Sequence, residues 1–222
     1  MSNIDQAISE YKAIDKTDIL KNIMSIVEGT RYYLEGNCFY EHNTFNLHPS
    51  LFNKQVNLYW CGKQVKTHIC EIGFNAGHSS MLFLLGIKTP VQYTVFDLGC
   101  HPYTRPCLDY IANRFQNTLI QYVEGNSMET MPFFLQDDQY KGIYDVVHVD
   151  GGHTEPCMKS DMKYADQLLK NKGILIVDDT HMDYIYKEVD RFISTGNYKE
   201  LHLLKSEGYE HRILIKDMKA AE

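Results

Sequence analysis

No apolar run in the chain approaches the roughly 20 residues that a helix needs to cross a bilayer, and Met1 to Lys12 is polar and acidic rather than leader-like. Neither a membrane span nor a secretory leader is expected. There is no Cys-x-x-Cys pair either: Cys38, Cys61, Cys70, Cys100, Cys107 and Cys157 stand apart. A chain of 222 residues buries most of the surface its unfolded form exposes and needs no disulfide framework. Reduced thiols and a cytoplasmic setting are therefore expected. Positive charge is short as well: the net charge of -7 opposes the basic surface of a general nucleic-acid binder. Repeats and low-complexity tracts are absent. What remains, 44% hydrophobic and 23% charged residues, is the composition of one soluble globular domain.

The texture changes near Lys66. Before it, Ile4, Ala7, Ile8, Tyr11, Ile14, Ile19, Ile23 and Ile26 have the spacing of one or two amphipathic helices. Gly29 to Asn57 is aromatic and His-rich, with Gly36, Pro49 and several Asn, and reads as an irregular cap. Residues 1–65 thus form an N-terminal helical and aromatic part, and 66–222 a core, within one compact domain. In the core, strands are expected at His68–Ile72, Gln92–Phe96, Ile120–Glu124, Asp145–Val149 and Gly173–Val177. Helices are expected at Ser79–Leu85, Thr104–Phe115, around Met128–Leu135, at Glu155–Leu169 and near Tyr184–Ile193. Continuous apolar strands separated by helices predict a parallel α/β sheet covered on both faces. Two last strands, Glu200–Leu204 and Arg212–Ile215, are separated by seven residues that include Gly208. That link is too short for a crossover helix, so the pair should be antiparallel. The expected fold is a seven-stranded, mostly parallel Rossmann-like sheet with an antiparallel last strand.

The first strand runs into Glu71-Ile72-Gly73-Phe74-Asn75-Ala76-Gly77-His78-Ser79-Ser80. Its glycines permit a sharp turn and close approach of a ligand, and the helix after it presents free N–H groups. A dinucleotide fingerprint would read Gly-x-Gly-x-x-Gly; Gly73-x-x-x-Gly77 does not. The sequence resembles class I S-adenosylmethionine-dependent methyltransferases, whose first motif is acidic-x-Gly-x-x-x-Gly. That resemblance implies that Glu71, Gly73, Phe74, Asn75, Gly77, His78 and Ser79 surround the methionine end of S-adenosylmethionine. Asp97, 26 positions after Glu71 and followed by Leu98, can accept both ribose hydroxyls. Asn126 and Ser127, after the third strand, match positions that touch adenine in the family. An N-cap on that βα loop is the plainer reading, and both can hold together.

Two further strand ends carry acids: Val149-Asp150-Gly151-Gly152-His153 and Val177-Asp178-Asp179-Thr180-His181. The C-terminal ends of parallel strands share one edge, where ligands bind, so Asp150, Asp178 and Asp179 should converge. Three clustered carboxylates repel unless a cation neutralises them, and oxygen ligands of this kind suit Mg²⁺. From Lys66 onward the chain resembles metal-dependent O-methyltransferases, a group of catechol-type and sugar-type enzymes with Asp-Gly-x-His and Asp-Asp motifs. The resemblance implies that Asp150, Asp178 and Asp179 hold the metal, with Asp150 also near the cofactor. It further implies that a hydroxyl of a small molecule or sugar attacks the sulfonium methyl. The catechol type has Asn at the position of Asp179, which sets this chain nearer the sugar type. His153 stands where the catechol type has a Lys base, His181 is its rival, and Gly152 replaces an Asp of some sugar-type relatives. A strand-end Asp that merely caps a helix, a metal-independent transfer, a hydroxylase relative and a silent cofactor-binding module are the competing readings.

Tyr32, Tyr33, Phe39, Tyr40, Phe45 and Trp60 form an aromatic cluster with two readings, a lid over the acceptor or a packed cap and homodimer contact. Cys38, His42 and His48 fit no structural zinc spacing. Cys100, His101 and Cys107 follow Asp97 and are expected beside the cofactor pocket. Met131, Phe133 and Phe134 read as core residues of a short helix.

Overall fold

Successive residues of an extended chain point to opposite faces, and here the two sets build two cores. The computed structural model describes residues 3–41, 45–206 and 210–218. In strand β5 (Leu169–Val177), Ile174 and Ile176 join one core and Leu175 and Val177 the other. The other strands are β1 (His68–Ile72), β2 (Val91–Asp97), β3 (Thr118–Glu124), β4 (Tyr144–Val149), β6 (Tyr198–Glu200) and β7 (Arg212–Lys216). They form one sheet in the order β3-β2-β1-β4-β5-β7-β6. Strands β1 to β5 pair in parallel, and β7 runs antiparallel to both its neighbours.

The helices are α1 (Ile4–Ala13), α2 (Thr17–Gly29), α3 (Phe52–Gly62), α4 (His78–Gly86), α5 (Thr104–Arg114), α6 (Ser127–Phe134), α7 (Glu155–Leu168) and α8 (Asp183–Ser194). Side chains of α1 to α5 fill the first core, and those of α6, α7 and α8 the second. The sheet is therefore covered on both faces, as the continuous apolar strands require. Among the described residues, no helix is long and apolar enough to cross a membrane.

Two expectations need correction. The region read as an irregular cap, Gly29 to Asn57, contains the first half of α3, entered through a short 3-10 turn at Pro49–Leu51. Every residue from Lys54 to Gly62 is buried, so the helix lacks the one-sided apolar stripe that betrays a surface helix. The penultimate strand is also shorter and earlier than Glu200–Leu204. Asn57 of α3 explains this: its Nδ2 donates to Leu204 O (2.7 Å) and its Oδ1 accepts from Leu204 N (3.1 Å). The backbone N–H and C=O of Leu204 are thereby taken from any longer strand. Strand β6 still pairs antiparallel with β7; Gly208, in the link, lies outside the described residues.

Helices α3 and α4 touch backbone to backbone. A Cβ at Gly62 would stand 2.3 Å from Phe83 O, and one at Gly86 2.4 Å from Tyr59 O. Replacing a helical glycine by alanine ordinarily stabilises by about 0.5–1 kcal/mol. Here the expected sign is reversed. Gly62→Ala should cost about 1–3 kcal/mol by overpacking, read as a lower urea midpoint, whereas Gly29→Ala, with nothing within 4 Å, should not destabilise.

Candidate functional site

Ladder bonds continue past the ends of three strands and bring the sequence motifs onto one rim. Asp150 N donates to Ile72 O at 2.9 Å, and Asp178 N donates to Val149 O at 2.9 Å. Gly73 N donates to Phe96 O at 2.8 Å. The glycine loop and the acids thus lie side by side. A Cβ at Gly73 would fall 1.9 Å from Asp150 O, so only glycine permits this approach. The loop bends through three left-handed residues, Gly73, Asn75 and Gly77 (φ 92°, 54° and 80°). Asn tolerates that region better than most residues.

Several residues expected at the cofactor are used differently from the expectation. Glu71 is fully buried and accepts hydrogen bonds from Ser79 Oγ (2.5 Å), Ser80 Oγ and Tyr93 OH (2.8 Å), with His148 Nδ1 at 3.0 Å. It anchors the start of α4 from below rather than lining the rim. The Phe74 ring is buried beneath Gly77. His78 is buried against the rings of Phe39 and Tyr40. Asn75 spends its side-chain amide on the carbonyls of Glu35 and Gly36, tying the N-terminal segment across the loop. Glu35 is fixed there by His101 Nε2 at 2.7 Å and by its own N–H on Tyr103 OH at 3.2 Å.

Asp97 Oδ2 accepts from Phe74 N (2.7 Å) and Asn75 N (2.9 Å), and Oδ1 from Gly99 N (2.7 Å). A carboxylate offers about four lone-pair sites, so this arrangement leaves one for a ribose hydroxyl, not the two expected. Asn126, rather than Ser127, caps α6, its Oδ1 accepting from Met128 N at 3.1 Å. Ser127 Oγ faces Cys157 Sγ at 3.7 Å. Leu98 and Met128, two large apolar side chains, stay exposed at the neighbouring strand ends.

Asp150, Asp178 and Asp179 come together on the rim as two groups rather than one. Metal-ligating atoms of His148, Asp150 and Asp178 lie within 4.8 Å of one another, and so do those of Asp150, His153 and Asp179. Asp150 belongs to both groups. Burial, then the neighbouring Asp178, pushes its carboxyl well above the usual range. His153 Nε2 lies 2.6 Å from Asp179 Oδ2, a hydrogen bond that raises the imidazole's pKa. His181 Nδ1 stands farther off at 3.9 Å. Asp179 itself is left-handed (φ 53°).

The residue that sequence reasoning missed is Lys54. It lies in α3, buried, with Nζ 2.5 Å from Asp178 Oδ2. Burial pushes the Asp178 carboxyl up, but the Lys54 ammonium and its hydrogen bond, together with His148 and His211, outweigh it and hold the group below the usual carboxylate range. Nothing in the sequence set this lysine apart, because its partner lies 124 positions away. His148 was also missed, a strand residue whose Nε2 is buried without a partner among the described residues.

A family model described as a methyltransferase domain matches residues 70–180. The chain belongs to the methyltransferase-domain family. Its fold is that of class I, S-adenosylmethionine-dependent enzymes, as solved structures of low identity attest. One is an O-methyltransferase from Bacillus cereus in complex with SAH, at 16% identity over 97% of each chain, with a TM-score of 0.63. Another is the O-methyltransferase TomG from Streptomyces achromogenes, involved in tomaymycin synthesis and complexed with SAM. It is 14% identical over 93% of this chain and 92% of that one, with a TM-score of 0.64. No curated protein sequence matches the chain. In this member of the family the glycine loop and the acid-bearing strand ends share one rim of the sheet.

His78 yields a testable consequence. Burial lowers its pKa from 6.5 to about 4, so the unfolded chain takes up the proton first. Stability is full above about pH 6.5 and is lost as pH falls toward 4, by up to about 3 kcal/mol from this residue. Urea midpoints measured from pH 7 to 4 should fall steeply for the native chain and less steeply for His78→Leu.

Proposed function

We propose that this methyltransferase transfers the methyl group of S-adenosylmethionine to a hydroxyl of a small molecule or sugar, assisted by a divalent cation such as Mg²⁺. One observation carries the metal: Asp178 Oδ1 is buried and has no hydrogen-bond partner among the described residues, although it sits among Asp150 and His148. A buried unpaired carboxylate oxygen is costly, and a hard cation would satisfy it. Asp150, Asp178 and Asp179 are the oxygen donors that would hold Mg²⁺. The ion would supply positive charge that lowers the pKa of the acceptor hydroxyl.

The chain's own groups divide the remaining work. The glycine loop offers backbone to the methionine end, and Asp97 retains one acceptor position for ribose. Leu98 and Met128 supply exposed apolar faces for adenine. His153, oriented by Asp179, takes the hydroxyl proton, while His181, farther from Asp179, is the substitute. Holding oxygen and methyl in line is the protein's main contribution to rate. An oxygen acceptor agrees with the neighbours' chemistry, among them CalS11, described as a TDP-rhamnose 3'-O-methyltransferase. That enzyme is 18% identical over 73% of this chain and 77% of its own, with a TM-score of 0.56.

A metal-independent transfer is the second reading, favoured by the Lys54 ammonium already resting on Asp178. Calorimetric titration separates the two. Asp179→Ala should leave S-adenosylmethionine affinity within about three-fold while Mg²⁺ affinity and methyl transfer fall by roughly 100-fold. EDTA should silence the native enzyme and Mg²⁺ restore it. Transfer that is indifferent to EDTA would select the metal-independent reading.

A further inference from the structure

Lys54 is a residue the fold would place only for its charge. Helix α3 is buried from Lys54 to Gly62, and an apolar side chain at Lys54 would avoid the desolvation cost of an ammonium. The side chain nevertheless carries Nζ across to the rim, 2.5 Å from Asp178 Oδ2, with both groups almost wholly buried. The same Asp178 keeps its other oxygen, Oδ1, without a partner. Asp150 and His148 present ligating atoms within 4.8 Å of an Asp178 oxygen. One carboxylate is thus shared between a fixed protein cation and an open position among metal-type donors. The second acid of the pair is treated alike, since Asp179 Oδ2 is met by His153 at 2.6 Å.

We propose that Lys54 is a resident counter-cation that competes with the divalent metal for Asp178, so that metal affinity is set from the N-terminal helix α3. The inference rests on the metal-assisted reading above. Without an ion, Lys54 neutralises Asp178 and keeps the three acids from driving the strand ends apart. With an ion, Asp178 must serve two cations at once, and their mutual repulsion weakens binding. The rim therefore holds its shape in both states, at the expense of metal affinity. The cofactor loop benefits directly, because Gly73 is pressed against the backbone of Asp150.

The test uses the full-length protein and Mn²⁺ or Mg²⁺ alone, read by calorimetry and thermal unfolding without turnover. Lys54→Gln keeps a hydrogen-bond donor for Asp178 and removes the charge; Lys54→Met removes both. In metal-free buffer both variants should melt below the native chain. Both should bind Mn²⁺ about ten-fold or more tightly than it does, and added Mn²⁺ should raise their melting temperature more than the native one. Binding that is unchanged or weaker in a folded variant overturns the competition, and native Mn²⁺ binding alongside it leaves the metal reading standing. Binding by the variants alone supports Lys54 and overturns the metal reading for the native chain. No binding by any of them overturns both. Variants that fail to fold with or without Mn²⁺ make the pair a structural staple and overturn the proposal.

Discussion

The approach of the Gly73 backbone to the carbonyl of Asp150 is the constraint on which the site depends. Where a Cβ would fall 1.9 Å from an oxygen, no side chain is possible, and the ends of β1 and β4 can then be drawn together by the Asp150-to-Ile72 bond. From that contact follow the direction of the loop, the position of α4 beneath it and the adjacency of glycine loop and acids. Parallel pairing supplies the rim; the glycine decides how closely its two functional halves meet.

The same contact explains why so much of the loop's chemistry turns inward. A loop bent through three left-handed residues exposes backbone donors that need acceptors. Asp97 takes two of them and a third from Gly99, while Glu71 secures the hydroxyls of Ser79 and Ser80. These acids hold the shape that a ligand would read, and what faces outward is backbone together with Leu98, Met128 and the acidic strand ends.

Much of this was legible in sequence because local period and long-range function coincide in β1, β4 and β5. Apolar runs ending in Gly73, Asp150 or Asp178 specify a strand, its exit and its rim position at once. Legibility failed where a residue's partner is distant or its surroundings uniform. Helix α3 is buried on all sides from Lys54 to Gly62, so no periodic contrast marks it, and its Lys54, Gln55 and Asn57 read as loop residues. Their partners, Asp178, Tyr11 and Leu204, are far away in the chain. The aromatic cluster divides similarly: Phe39, Tyr40 and Trp60 are core, while Tyr32 and Tyr33 stack on each other at the surface. Composition alone cannot separate the two sets. His42 lies outside the described residues.

The charge arrangement at the rim is best understood as two tiers. Asp178, buried, meets a buried lysine, whereas Asp179, partly exposed, meets a histidine that is itself more than half exposed. A permanent cation belongs in the inner tier, where an unpaired carboxylate would be most costly. A titratable imidazole belongs in the outer tier, where protons can be exchanged with solvent and an acceptor can reach. Asp150 stands between the tiers with no lysine or histidine of its own at ion-pair distance among the described residues. Its carboxyl is the one that burial and Asp178 push toward the neutral form. The acid least provided for by the protein is therefore the one pressed against the glycine loop, and there the positive charge of a ligand would gain most from arriving.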